Sequence, residues 1–388
     1  MPTAWMHRGA FFALLAVPSC GSGPTTAPPY DAGSPVFDAA WGDAGLEDAI
    51  ADGGAPDSAP DGPRSGLDER PRNASCRAPE TPEAMPGHLG ETGCFDPDDL
   101  RKPSAGLIPY AVKAPLWSDG AAKERYLALP DDAKITVAAD GDFDLPPGTV
   151  LVKTFVLGDT VVETRLFVRH SSAMWAGYSY AWNEDGNDAL LLGPDSVFRT
   201  VRGQEWQFPS RQHCLDCHTS AAGFVLGLEM AQLDRDFTYP NERTANQLAT
   251  FTAIGLFEQR PNADAIAPMP FPDDVLAPID ERARAYLHAN CGNCHRPSGV
   301  TEPNVIIDLR FTTALDAAHI CNEPPRRTDL GIPDVKLLAP GDPARSMISY
   351  RMHSLVPSLR MPPIASTVLD SEGAILLDTW IRAISSCP

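Results

Sequence analysis

The chain has little positive charge and, past its first twenty residues, no long apolar run. Lysine and arginine total 31 against 51 aspartates and glutamates, a formal charge of −20. That balance argues against nucleic acid and anionic membrane surfaces as partners, and favours a basic partner or plain solubility. No later stretch approaches the ~18 to 20 continuous apolar residues of a membrane-spanning helix. No Ser-His-Asp arrangement, phosphate-binding glycine loop or carboxylate pair stands out in the sequence. What is abundant is apolar residues, at 43%, and an uneven scatter of 39 prolines and 30 glycines. A chain of 388 residues with this composition can bury a substantial core, and its length suggests two or three domains.

The first twenty residues read as an export signal: His7 and Arg8, an apolar run from Ala10 to Val17, then Ser19 before Cys20. Val17-Pro-Ser-Cys20 resembles a bacterial lipobox, which implies a lipid anchor at Cys20, although proline before the serine departs from the usual pattern. The expected location is therefore the periplasm or the outer membrane, as an exported lipoprotein touching the membrane only through that lipid. Residues 21–72 hold ten acids against three arginines among Gly, Pro, Ala and Ser, and read as a disordered tether.

Two short stretches carry the chemistry: Cys214-Leu-Asp-Cys217-His218 and Cys291-Gly-Asn-Cys294-His295. In each C-x-x-C-H the two thiols are spaced to form thioethers with both vinyl groups of one porphyrin. The histidine that follows is delivered to the iron as proximal ligand. A zinc site assembled from two knuckles would also use four cysteines, but it does not require a histidine after each pair. The expectation is two covalently bound haem c groups, with His218 and His295 on the irons. Apart from Cys20 and the haem cysteines, Cys76, Cys94, Cys321 and Cys387 are left. An even remainder in an oxidising compartment suggests two disulfides, and proximity favours Cys76–Cys94 and Cys321–Cys387.

Residues 73–209 read as a β-rich domain. Val150 to Leu157 and Val161 to Arg169 form the clearest pair, joined at Gly158-Asp159, with Val162, Thr164, Leu166 and Val168 expected on one face. Trp117, Trp175, Tyr178, Tyr180, Trp182 and Trp206 read as sheet core. Lys113, Asp119, Lys123, Arg125 and Glu163 read as a solvated charged face. Residues 210–260 form the first haem region. It is expected to hold one helix through Phe224, Leu228 and Ala231 and another opened by a Thr244–Gln247 capping box. Residues 261–278 are proline-rich and read as a linker. From 279 to 388, a helix capped at Asp280 runs into Cys291, and Asp370 caps a closing helix bearing Leu377, Trp380, Ile381 and Ile384.

A helix leading into C-x-x-C-H, a loop-rich middle, Met361-Pro-Pro363 and a closing aromatic-bearing helix resemble class I cytochrome c over about residues 279–388. The resemblance implies His295 and Met361 as the two ligands of the second iron, and packing of the terminal helices through Tyr286 and Trp380. The whole mature chain is similar to an uncharacterised family of exported bacterial dihaem c-type cytochromes. The similarity rests on Ala114-Pro-Leu-Trp-Ser-Asp119, Pro147 to Thr154, Glu163-Thr-Arg-Leu166, Gly177 to Asn183, Pro209 to Cys217, Gly223 to Leu233 and Arg282 to His295.

The fold class expected is α+β and multidomain: a β-rich N-terminal domain, then mainly α haem regions, the last an all-α domain like class I cytochrome c. The function expected is electron transfer between a redox protein donor and an acceptor, rather than stand-alone enzymic activity. Two alternatives stand beside it. One is a dihaem peroxidase-like enzyme with an open first haem, for whose sixth ligand His170, Met174 and Met230 are candidates. The other is a β-domain binding module coupled to a partner dehydrogenase.

Overall fold

The structure, a computed structural model, describes residues 65–262, 265–299 and 307–388. The expected signal segment, its lipid anchor at Cys20 and the tether as far as residue 64 lie outside the described residues. Residues 65–72, assigned to the tether from composition, are instead held on the folded body. Gly66 N donates to Thr250 Oγ1 at 2.9 Å and Arg70 bonds the carbonyls of Pro130 and Ala133.

A short pair, β1 (Phe95–Asp96) and β2 (Asp99–Pro103), precedes the main sheet. That sheet is built from β3 (Ile108–Pro109), β4 (Ala122–Ala128), β7 (Val150–Leu157), β8 (Thr160–Arg169), β9 (Trp175–Trp182) and β10 (Ala189–Leu191). Its spatial order is β10-β9-β8-β7-β4-β3, antiparallel throughout. The small hairpin β5 (Thr136–Val137) and β6 (Phe143–Asp144) fills the connection between β4 and β7. Strands β7 and β8 are buried along most of their length because both sheet faces are covered, although β8 carries Glu163, Thr164 and Arg165 at its centre. Gly158, at φ 63°, supplies the left-handed residue of the two-residue turn between them.

On one face Val152, Leu166, Val168, Tyr178 and Tyr180 pack against the N-terminal segment closed by the Cys76–Cys94 disulfide. On the other face Leu127, Leu151, Phe167 and Trp175 pack against Val225, Leu228, Leu233 and Phe251. A bulge between Phe155 and Val156 shifts the register of β8. Val161 therefore joins the Leu166 and Val168 face, and Val162, expected there, packs with Phe155 and Trp206 instead. Of the expected aromatic core, Trp175, Tyr178, Tyr180, Trp182 and Trp206 are buried, whereas Trp117 is half-buried in a loop, where its Nε1 donates to Val368 O at 3.1 Å.

After the hairpin β11 (Val197–Val201) and β12 (Gln204–Phe208) come three short helices, α1 (Arg211–Cys217), α2 (Met230–Leu233) and α3 (Gln247–Ala253). This segment is less helical than expected. Phe224 and Gly227 have positive φ and break the run that Phe224, Leu228 and Ala231 suggested, leaving only α2. Thr244 does not cap α3. It lies in β14 (Thr244–Asn246), paired with β13 (Asp236–Thr238), and Asn246 caps the helix by accepting from Ala249 N.

The C-terminal region carries α4 (Ile279–Asn290), α5 (Met347–His353) and α6 (Ser371–Ala383). It is not the all-α cytochrome domain expected. Its helices have 12, 7 and 13 residues, and between α4 and α5 the described chain runs as turns, bridges, loops and one 3-10 turn at Pro343–Arg345. Pro324, Pro325, Pro333 and Pro340 withhold the N–H that a helix interior needs there. The fold class is thus corrected to a β-rich body with six α-helices among the described residues, four of them no longer than seven residues. The long helices do cross as a pair. Tyr286, Leu287, Leu377, Trp380 and Ile381 form their shared core, each fully buried apolar side chain contributing about 1.5–3 kcal/mol. Asp370 caps α6 through Gly373 N at 2.9 Å, whereas Asp280 sits in the first turn of α4 and accepts from Trp380 Nε1 at 2.8 Å. Cys321–Cys387 ties the loops to the chain end. No helix among the described residues is long and apolar enough to cross a membrane.

Candidate functional site

The two C-x-x-C-H segments arrive from different directions and meet. The first is delivered by α1, whose N-cap Ser210 accepts from His213 N at 3.0 Å. It lies against the sheet so closely that a Cβ at Gly177 would stand 2.5 Å from Cys214 Sγ, so only glycine fits there. The second follows α4, and Asn290 just before Cys291 is held by its side-chain oxygen, which accepts from Trp117 N at 2.7 Å.

The stretch Ala114 to Asp119 therefore works as a bracket. Asp119 N donates to Ala365 O, and its carboxylate accepts from Val368 N at 2.9 Å, which fixes the loop that carries Met361. Cys214, Cys217, His218, Cys291, Cys294, His295 and Met361 all line one cleft. Within it the two motifs touch: Cys294 Sγ lies 3.2 Å from Asp216 O, and Thr219 Oγ1 donates to Asn293 O at 3.4 Å.

The ring nitrogens test whether these residues fit a haem iron. His218 Nδ1 is 2.7 Å from Phe224 O, and because a carbonyl only accepts, Nδ1 carries the proton and Nε2 keeps its lone pair. Burial, with Lys153 and Arg165 nearby, pushes His218 down to about 3, so the imidazole is neutral, the form that binds a metal. Burial and Arg351 lower His295 as well, and its Nδ1 is buried without a partner. Burial raises the thiol of Cys214 to about 11 and that of Cys291 to about 12, which keeps both protonated. Among the described residues no three His, Cys, Asp or Glu side chains converge to hold a metal ion.

The candidate sixth ligands of the first iron do not reach the cleft. His170 spends both nitrogens, on Pro79 O and Tyr178 Oη, each at 2.8 Å. Met174 is 49% exposed and Met230 is buried in the apolar core. The charged face read as solvated is not solvated. Glu163 is fully buried against Arg165 and Trp206, Asp119 is buried, Lys123 Nζ bonds Leu116 O, and Lys113 pairs with Asp234.

Sequence reading passed over Lys153, which lines the cleft beside the first motif. It also passed over a buried cluster next to the cleft. There His288 Nε2 meets Glu229 Oε1 at 2.5 Å, and Arg296 pairs with Asp142 at 3.1 Å. A charged residue inside an otherwise apolar strand, such as Lys153 in VLVKTFVL, was the signal available. No family model, no curated protein and no solved structure matches the chain.

Proposed function

We propose that this protein is a dihaem c-type cytochrome of the bacterial cell envelope that passes electrons between a protein donor and a protein acceptor. The observation that carries the reading is the contact between the two motifs, Cys294 against Asp216, in one shared cleft. Groups attached at adjoining cysteines are close enough to exchange electrons without a mobile carrier. Bound haem supplies one-electron iron chemistry whose potential the protein tunes. His218 and His295 would each hold one iron, and Met361, lining the same cleft, would be a further ligand of the second. Met/His ligation raises a potential and closes the iron to substrates. The test is expression in a strain competent for c-type maturation. Two haems by mass and a c-type absorption spectrum are expected, and a protein without that spectrum would end the proposal.

A second reading has one observation in its favour: His170, Met174 and Met230 are all placed away from the first motif's cleft. An open first iron would bind peroxide, with the second haem relaying the electron. Two low-spin six-coordinate haems with no peroxidase turnover exclude it.

A further inference from the structure

Two acids face each other beside the cleft, where the segment after the first motif meets the helix before the second. Asp142, between β5 and β6, and Glu229, at the start of α2, are directly opposed in an antiparallel bridge, and Met230 N donates to Gly141 O at 3.0 Å. Side chains directly opposite in such a pairing share a face, and like charges placed so repel. Glu229 leaves α2 without a side-chain cap and gives its carboxylate to His288 Nε2 instead. A backbone N–H only donates, so Phe311 N, 3.1 Å from His288 Nδ1, places the neutral ring's proton on Nε2, toward Glu229. Asp142 meets Arg296 at 3.1 Å, but Arg296 also reaches Asp140 at 3.6 Å. Arg310, 3.7 Å from Asp140, is held by Asp308 at 2.7 Å. Four carboxyl groups thus meet two guanidinium groups and one imidazole. Arg125 and Lys153 line the same pocket, and among the described residues neither is ion-paired to these acids.

The cluster is short of positive charge, and a proton held by the two opposed carboxyls supplies it. Burial and Glu229 push Asp142 up to about 6, within reach of neutral pH. Its side chain is 26% exposed against 11% for Glu229, so Asp142 is the end open to water. The other end adjoins the second motif: His288 lies one helical turn before Cys291, and Arg296 directly follows His295. The pocket shares Leu116, Lys153, Leu226 and Asn293 with the cleft. We propose that Asp142 and Glu229 form a proton-accepting site that takes one proton from water when an electron arrives at the second motif and returns it when the electron leaves. This rests on the dihaem reading. The electron comes from the protein donor and goes to the protein acceptor, a carboxyl O–H bond forms and breaks with it, and the net charge is the same before and after. A negative charge added beside the pair favours the protonated carboxyl, and the bound proton favours the electron in return.

The experiment uses the matured full-length protein and the variants Asp142→Asn and Glu229→Gln. Haem content is read by intact mass, both midpoint potentials are measured across pH 5–9, and the protonated carboxyl is read by its infrared C=O band. In the wild type one potential is expected to be level below about pH 6 and to fall above it. The limit is a tenfold change in the reduction equilibrium per pH unit, about 59 mV for one proton per electron. Asp142→Asn has nearly the same shape and leaves Arg296 its contact with Asp140, and it is expected to remove both the slope and the infrared band. Glu229→Gln removes the opposing charge, so the slope is expected to remain but to begin at lower pH. A merely structural role for the pair would move neither. Two haems whose potentials ignore pH, or keep the wild-type slope in Asp142→Asn, overturn the proposal and leave the dihaem reading standing. If Asp142→Asn does not fold, Glu229→Gln decides, and an unmoved onset overturns the proposal. A protein without haem ends the dihaem reading by mass alone, and a carboxyl band that titrates near pH 6 and is lost in Asp142→Asn then decides the proton site by itself.

Discussion

The first and second C-x-x-C-H segments share a spacing but not a setting. Around the first, the partners come from a β-sheet: Gly177 and Phe167 pack on Cys214 and His218, and Lys153 and Arg165 supply positive charge. Around the second, the setting is a helix pair with a loop crossing to Met361. His218 has its proton fixed by Phe224 O, while His295 Nδ1 has no partner. The difference teaches that the attachment motif is portable. What a haem held there could do would be set by which fold element faces it, charged strands in one case and an apolar helix crossing with a thioether in the other.

The sharpest way to break the comparison is to delete each motif separately. Changing Cys214 and Cys217 to alanine is expected to remove one haem and leave the second segment's haem and potential in place, and changing Cys291 and Cys294 the converse. Mass spectrometry reads both, and loss of both haems from either variant would show that the settings are not separable. Next in size, Met361→His should lower one midpoint potential by roughly 0.1–0.3 V, part of the ~0.8 V range that axial ligands span. If neither potential moves, Met361 is not a ligand.

The disulfides sharpen the comparison in stability. Cys321–Cys387 closes a loop with a separation of 66 residues and Cys76–Cys94 one of 18. On loop entropy alone Cys321→Ser should cost about 4 kcal/mol and Cys76→Ser about 3 kcal/mol in chemical denaturation. The opposite order would mean that the sheet side depends more on its crosslink than the helix side does.

The smallest effect concerns the joint between the two settings. Glu229, at the start of α2, and His288, in α4, form a buried pair, so Glu229→Gln should cost about 3 kcal/mol near pH 6. Burial opposes both charges, but the partner prevails. His288 is held above its ordinary 6.5, so its contribution is complete below that value and is lost as pH rises through the folded one. Glu229 is held below its ordinary 4.5, so its contribution is present above that value and is lost as pH falls through the folded one. Asp142, pushed up to about 6 by burial and by Glu229, works against folding as pH rises from its ordinary carboxylate range through that value. Denaturation across pH 4–8 should show the mid-range advantage of the pair in the wild type and its loss in Glu229→Gln.

Much of the local structure was legible in advance. The hairpin around Gly158, the Asp370 cap and the pairing of the four cysteines outside the two motifs depend on neighbours in sequence or on simple proximity. Where reading failed, a tertiary contact had overruled a local pattern. The Thr244 capping box lost to the hairpin that Thr244 forms with Thr238, and the Val162 alternation lost to a bulge. The solvated charged face lost to Glu163 being buried under Trp206, and the all-α C-terminal domain lost to proline-rich loops.

The sequence by itself supplied the two motifs on which the dihaem proposal rests, because a C-x-x-C-H carries its thiols and its histidine within five residues. Only the tertiary structure decided that the two motifs touch, that Met361 shares their cleft, and that Asp142, Glu229 and His288 meet. Those three groups lie up to 146 positions apart on separate elements, and burial of their apolar neighbours, Phe143 with Met230 and Ala231 with Ala289, is what brings them together.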